Sequence, residues 1–143
     1  MKKIFVALVI LFQTNQAFAY NEYTLGERIR SLNTTFVLQA NNFYSETDKL
    51  NELGKDPKAD RDHMYMLYAT SSQSLCIAAL TIGKIKNLID ENPQIIGKVL
   101  TQNDINEINS TKNVFDYYSK ELNLDDQECS KMMPYTYNSI KNE

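Results

Sequence analysis

Two residues in this chain carry obvious covalent chemistry, Cys76 and Cys129, and they are its only cysteines. A thiol pair built for redox exchange usually takes the form Cys-x-x-Cys, and these two lie far apart in the sequence. Their expected chemistry is one structural disulfide, formed in an oxidising compartment. It would close a loop of 54 residues (76 to 129). Chain entropy assigns such a loop roughly 4 kcal/mol.

The other chemical candidates are weaker. His63 is the only histidine, and it follows Asp60, Arg61 and Asp62. A zinc site needs further His or Cys ligands, and none remain once the cysteines pair. Haem lacks the Cys-x-x-Cys-His attachment motif. A His63–methionine ligand pair could draw on Met64, Met66, Met132 or Met133, yet methionine on a helix face is more often core filler. Neither metal nor cofactor is expected. There is no Gly-x-Ser-x-Gly elbow, no His-Glu-x-x-His and no Gly-rich phosphate loop among the four glycines. The acidic pairs Asp90-Glu91 and Asp125-Asp126 fall at predicted helix ends, where local capping and dipole effects explain them. No catalytic residue is assigned, and the protein is expected not to be an enzyme.

The compartment is written at the start of the chain. Lys2 and Lys3 precede the unbroken apolar run Ile4 to Phe12, and Ala17-Phe18-Ala19 follows. That order predicts a secretory signal peptide, residues 1–19, cleaved after Ala19. Nine apolar residues at ~1.5 Å each cannot cross ~30 Å of hydrocarbon. Residues 20–143 are then one domain, large enough for a real core. They carry 13 basic and 18 acidic residues, a net −5. No basic block appears, so nucleic acid is not an expected partner. No second long apolar segment appears either, so no stable membrane insertion is expected. A periplasmic or secreted location follows. The sequons Asn33-Thr34-Thr35 and Asn109-Ser110-Thr111 both lie inside predicted helices and are chance matches in an Asn-rich chain.

The elements that must hold the cysteines are helices. Met64, Tyr68, Ser71, Leu75, Ala78, Ile82, Ile85 and Ile89 recur in alternating steps of four and three, which lays one stripe along a helix from Pro57 to Asp90. Asp56 is its expected N-cap and Pro57 its first residue. Gly83 within it suggests a close helix crossing. Leu75 to Leu80 is apolar nearly all round and should be the most deeply buried part.

A first helix is expected over residues 25–53, with Leu25, Ile29, Leu32, Phe36, Ala40, Phe43 and Leu50 as its stripe. Thr24 and Glu27 would form its capping box, and a left-handed Gly54 would stop it. After Asn92-Pro93 a short helix is expected over Gln94 to Leu100. Thr101 or Asn103 would cap a third long helix whose stripe is Ile105, Ile108, Phe115, Tyr118 and Leu122, closed by Asn123. A last helix would open on a capping box of Asp125 and Glu128, hold Cys129 in its first turn, and stop near Met132 because of Pro134. Tyr135, Tyr137 and Ile140 could pack as a continuation. The fold expected is all-α, an antiparallel four- to five-helix bundle with one disulfide.

With no catalytic constellation, the informative surface is one for binding. Tyr65 and Met66 lie off the stripe of their helix, and Tyr44 and Tyr117 sit beside theirs. Tyrosine and methionine are favoured at protein interfaces. These four are the candidate partner-contact residues, with a wider core stripe as the alternative explanation.

Two family resemblances bear on the partner. Leu100-Thr101-Gln102-Asn103-Asp104 resembles the Leu-Thr-x-x-Gln signature of periplasmic stress-sensing chaperones, with Asp104 where that family has Gln and only one copy present. The run Tyr68 to Ala78 around Cys76, with Glu128-Cys129-Ser130-Lys131, is similar to the cysteine-bearing helices of periplasmic immunity proteins of type VI secretion amidase effectors. That second resemblance covers about half the chain, and its first helix has no counterpart there. It implies a non-enzymatic protein that plugs a toxin's cleft, as a monomer or a homodimer. The leading expectation is thus an immunity or inhibitor protein that neutralises a toxin or enzyme by binding it. A helical periplasmic chaperone or assembly adaptor is the alternative.

Overall fold

The computed structural model describes residues 21–142, so the signal-peptide reading of 1–19 lies outside the described residues. Among the described residues all regular structure is helical. The elements are α1 (Glu22–Leu53), α2 (Arg61–Glu91), a single 3₁₀ turn (Ile96–Lys98), α3 (Gln102–Glu121), α4 (Asp126–Met132) and α5 (Thr136–Asn142). The expected all-α bundle with one disulfide is what forms.

α2 is the centre. It packs against α1, α3, α4 and α5, whereas α1 and α3 meet mainly through side chains. α1 and α2 run antiparallel: Thr47 and Ser71 share a 2.9 Å hydrogen bond near one end. Leu75, Ala78, Ile82, Ile85 and Ile89 of the stripe are all buried. Each large one stabilises the fold by about 1.5–3 kcal/mol relative to exposure. The stripe fails only at its start, where Tyr68 is exposed and Met64 half-buried. Cys76 and Ile77, on the flank away from α1, join Cys129 and Tyr137 in a second small core under α4 and α5.

Several helix ends differ from the sequence reading. Asn21, not Thr24, caps α1. Its Oδ1 accepts from the Thr24 N–H at 2.8 Å, and Thr24 Oγ1 accepts from the Asn21 N–H. Thr24 is therefore the third residue of the box, one turn earlier than Thr24-x-x-Glu27 suggests. Gly54 is right-handed (φ −63°, ψ −15°), so no left-handed residue stops α1. The chain instead continues in tight turns and reverses at Asp56–Ala59, where the Ala59 N–H donates to the Asp56 carbonyl. Asp-Pro supplies the first two positions of that turn, which suits both residues. The cap of α2 passes to Asp60, whose Oδ1 accepts from the Asp62 N–H at 2.9 Å.

Gly83 marks no close crossing, since a Cβ there would meet nothing within 4 Å. The expected helix over Gln94 to Leu100 shrinks to the 3₁₀ turn, pinned to α1 by an ion pair between Lys98 and Glu22. Thr101 caps α3 in a reciprocal box with Asp104. Asn123, at φ 53°, ends α3. The Leu124 N–H reaches the Ser119 carbonyl and the Asn123 N–H the Lys120 carbonyl, the paired bonds of a Schellman stop. Asp125 caps α4 through the Glu128 N–H, but the Glu128 carboxylate turns to Lys131 instead of completing a box. α4 ends at Met132 as Pro134 requires, and α5 follows, with Tyr137 buried and Tyr135 89 % exposed rather than packed.

Candidate functional site

Cys76 and Cys129 are bonded, with Cα atoms 5.6 Å apart and neither side chain open to solvent. The bond fastens α4 to the middle of α2. Tyr137 on α5 adds a second tie to α4, donating its hydroxyl to Asp126 at 2.9 Å, and Lys141 pairs with the same carboxylate. Those two donors hold Asp126 below the ordinary carboxylate range, the lysine contributing most. Burial, then the hydrogen bond to Asp126, pushes the Tyr137 phenol up to about 12. These ties fix the position of α4, which in turn forms one wall of a pocket.

That pocket lies where α2, α3 and α4 converge and has a volume of about 270 Å³. α2 contributes Tyr65, Tyr68 and Ser72; the α3–α4 turn contributes Leu122 and Asn123; α4 contributes Glu128 and Met132. Ser72 is 1 % exposed, and its Oγ has no hydrogen-bond partner. Two other buried polar atoms, Glu46 Oε2 and Asn109 Oδ1, are also unpartnered, but neither residue lines this pocket or the larger cleft described below. A buried unpaired hydroxyl carries a real desolvation cost, so its placement at a pocket is informative.

Tyr44, Tyr118 and Tyr117 form a run of neighbouring rings across α1 and α3. The Tyr118 ring lies 6.4 Å from that of Tyr44 and 5.8 Å from that of Tyr117. Leu122 stands one helical turn beyond Tyr118 and reaches the pocket that holds Tyr68 and Tyr65. Phe36, Phe43 and Phe115 back the Tyr44 end, Phe36 and Phe115 meeting edge-to-face at 5.1 Å. Burial, and behind it the neighbouring Tyr118, raises the Tyr44 phenol above its usual range.

The four sequence candidates therefore separate. Tyr44 and Tyr117 belong to the ring run and Tyr65 lines the pocket; all three are exposed, Tyr65 at 73 %. Met66 is exposed too, but it belongs to neither the ring run nor the pocket. Periodicity places Tyr68 and Tyr118 in core stripes; Tyr118 is partly buried against the core as expected, whereas Tyr68 is exposed at the pocket. The pocket itself had no sequence signal.

A second concavity, about 490 Å³, runs between α1 and α3. Ile82 and Ile85 form its floor, with Ile29 and Phe36 on one side and Val99 and Ile108 on the other. Arg30 and Asn33 rim the α1 side, and Asp104 and Glu107 the α3 side. Hydrogen bonds from Thr101 hold Asp104 below its ordinary range. Among the described residues no group of three or more His, Cys, Asp or Glu is placed to hold a metal ion, and no helix is long and apolar enough to cross a membrane.

Comparison with protein-family models, with curated proteins and with solved structures finds no match to this chain.

Proposed function

We propose that this is an exported, non-enzymatic protein that works by docking on one protein partner, through the tyrosine band of Tyr44, Tyr117, Tyr118, Tyr68 and Tyr65. The observation that carries the reading is a set of exposed tyrosines, Tyr44, Tyr65, Tyr68 and Tyr117, two of which, Tyr65 and Tyr68, line a pocket walled by three helices. Tyrosine gives large contact area for little lost rotamer freedom, and its hydroxyl tolerates both water and burial. The disulfide supports the choice of an oxidising compartment, periplasmic or extracellular. A rigid, stapled helical body that presents fixed aromatic side chains suits an immunity or inhibitor protein, which must be preorganised to bind tightly. The resemblance of the Cys76 and Cys129 helices to immunity proteins of amidase effectors points the same way, and a toxin or effector enzyme is the partner class proposed.

The α1–α3 cleft favours a second reading. Its apolar floor and open side could hold an apolar client segment, as a chaperone or assembly adaptor would. Site-specific photo-cross-linkers separate the two. Placed at Tyr65 and Tyr117 in the native cells, alone and in co-culture, they should trap one discrete adduct, while a cross-linker at Ser31 traps none. Many heterogeneous adducts, concentrated at Val37 and Glu107 beside the cleft, would favour the chaperone and reject the dedicated partner.

A further inference from the structure

The pocket at the α2–α3–α4 junction is chemically one-sided. Two phenol rings, Tyr65 and Tyr68, stand on it, and ring faces are attractive to cations. Glu128 supplies a carboxylate, and the C-terminal end of the 20-residue α3, the negative end of its macrodipole, closes another side. Ser72 Oγ is buried, unpartnered and able to accept a hydrogen bond. No lysine, arginine or histidine lines the pocket. Lys131, which does not line the pocket, pairs with Glu128, and that carboxylate's hydrogen bond keeps the Lys131 ammonium above its ordinary range. The lining thus offers a cation two ring faces and one carboxylate, and no basic side chain.

We propose that this pocket receives an arginine side chain presented by the protein partner. A guanidinium matches it better than an ammonium. It is planar, stacks on tyrosine rings, and carries five donors in a fork that matches the Glu128 carboxylate. The arginine stem would lie against Leu122 and Met132, and its head would displace Lys131 from Glu128. This inference rests on the docking reading, which it deepens by naming the partner's anchor residue.

The test uses the oxidised protein as the cell processes it, isotopically labelled for NMR. N-acetyl-arginine amide is titrated against N-acetyl-citrulline amide, a neutral compound of nearly the same shape. Arginine amide is expected to shift the resonances of Tyr65, Tyr68, Ser72 and Asn123 with one saturable constant in the millimolar range, and citrulline amide is expected to leave them in place. Glu128→Gln and Tyr68→Leu should each weaken the arginine response by about two- to fivefold, the size of an exposed ion pair or cation–π contact. Equal shifts from citrulline amide, or arginine shifts scattered over the surface, would overturn the assignment. The two readings fail separately. If cross-links at Tyr117 persist while arginine amide does not bind, the anchor is wrong and docking stands. If arginine amide binds but no protein adduct forms at either tyrosine, the partner protein is rejected as the source of the cation.

Discussion

Cys76, midway along α2, is covalently bound to Cys129 in the seven-residue α4. A helix that short does not hold its own shape in water. The bond, the buried Tyr137 and the Asp126 ion pair are what keep it in place. Replacing both cysteines by serine should therefore cost about 2–4 kcal/mol. It should also release α4 and α5 first, while the α1–α2–α3 layer persists. Denaturant melts with hydrogen exchange check this: early exchange should be confined to residues 124–142.

Gly54 offers a test that opposes sequence pattern to structure. A left-handed stop would make Gly54→Ala destabilising. The residue is right-handed, and an added Cβ would meet nothing closer than the Leu50 carbonyl at 3.4 Å. Gly54→Ala should thus stabilise the protein by about 0.4–1 kcal/mol, by restricting the unfolded chain. Asn123 is the reverse case. At φ 53° a β-branched residue is strained, so Asn123→Val should cost roughly 1–2 kcal/mol, and Asn123→Gly should be close to neutral. Thermal melts of the three variants check both.

Phe115 is 2 % exposed and touches Phe36, Phe43, Tyr44 and Tyr118. Because α1 and α3 meet mainly through these rings, Phe115→Ala should cost about 3–5 kcal/mol and loosen α3 from α1. The loss of midpoint on urea titration measures it.

Tyr137 sets an alkaline limit. Its phenol titrates near 10.0 when unfolded and at about 12 when folded. A raised folded value means the stabilisation is fully present below pH 10.0 and fades as pH rises towards about 12. Tyr137→Phe should flatten the pH dependence of stability across that window. For Asp126 the sign is opposite: its lowered value gives stabilisation that is present above the ordinary carboxylate range and lost in acid. Asp126→Asn should remove that acid sensitivity.

The helices were legible because their signal is periodic and local. The stripe from Ser71 to Ile89 needed only spacing, and the disulfide needed only two cysteines and the expectation of an oxidising compartment. The caps were less legible because neighbouring residues compete. Thr24 fits both as a cap and as the third residue of a box begun by Asn21. Asp56-Pro57 suits a turn as well as a helix start. The binding surface was half legible. Tyr44, Tyr65 and Tyr117 stood out as off-stripe aromatics. Tyr68 was hidden inside a regular stripe, because periodicity says which face a residue takes but not how far the neighbouring helix extends to cover it. The pocket was not legible at all. It joins Ser72 to Leu122 and Glu128, some 50 positions later, through a contact only the folded chain makes.

The central claim is that the tyrosine band binds one protein partner. The most direct measurement is the affinity of the cross-linked partner, once purified, for Tyr65→Ala, Tyr117→Ala and Leu38→Ala. Leu38 is an exposed apolar residue on α1 outside the band. Each band variant should weaken binding about tenfold or more, as truncation of an aromatic anchor does, and Leu38→Ala should leave it within twofold of the parent. Unchanged affinity for both tyrosine variants, or an equal loss for Leu38→Ala, would contradict the account.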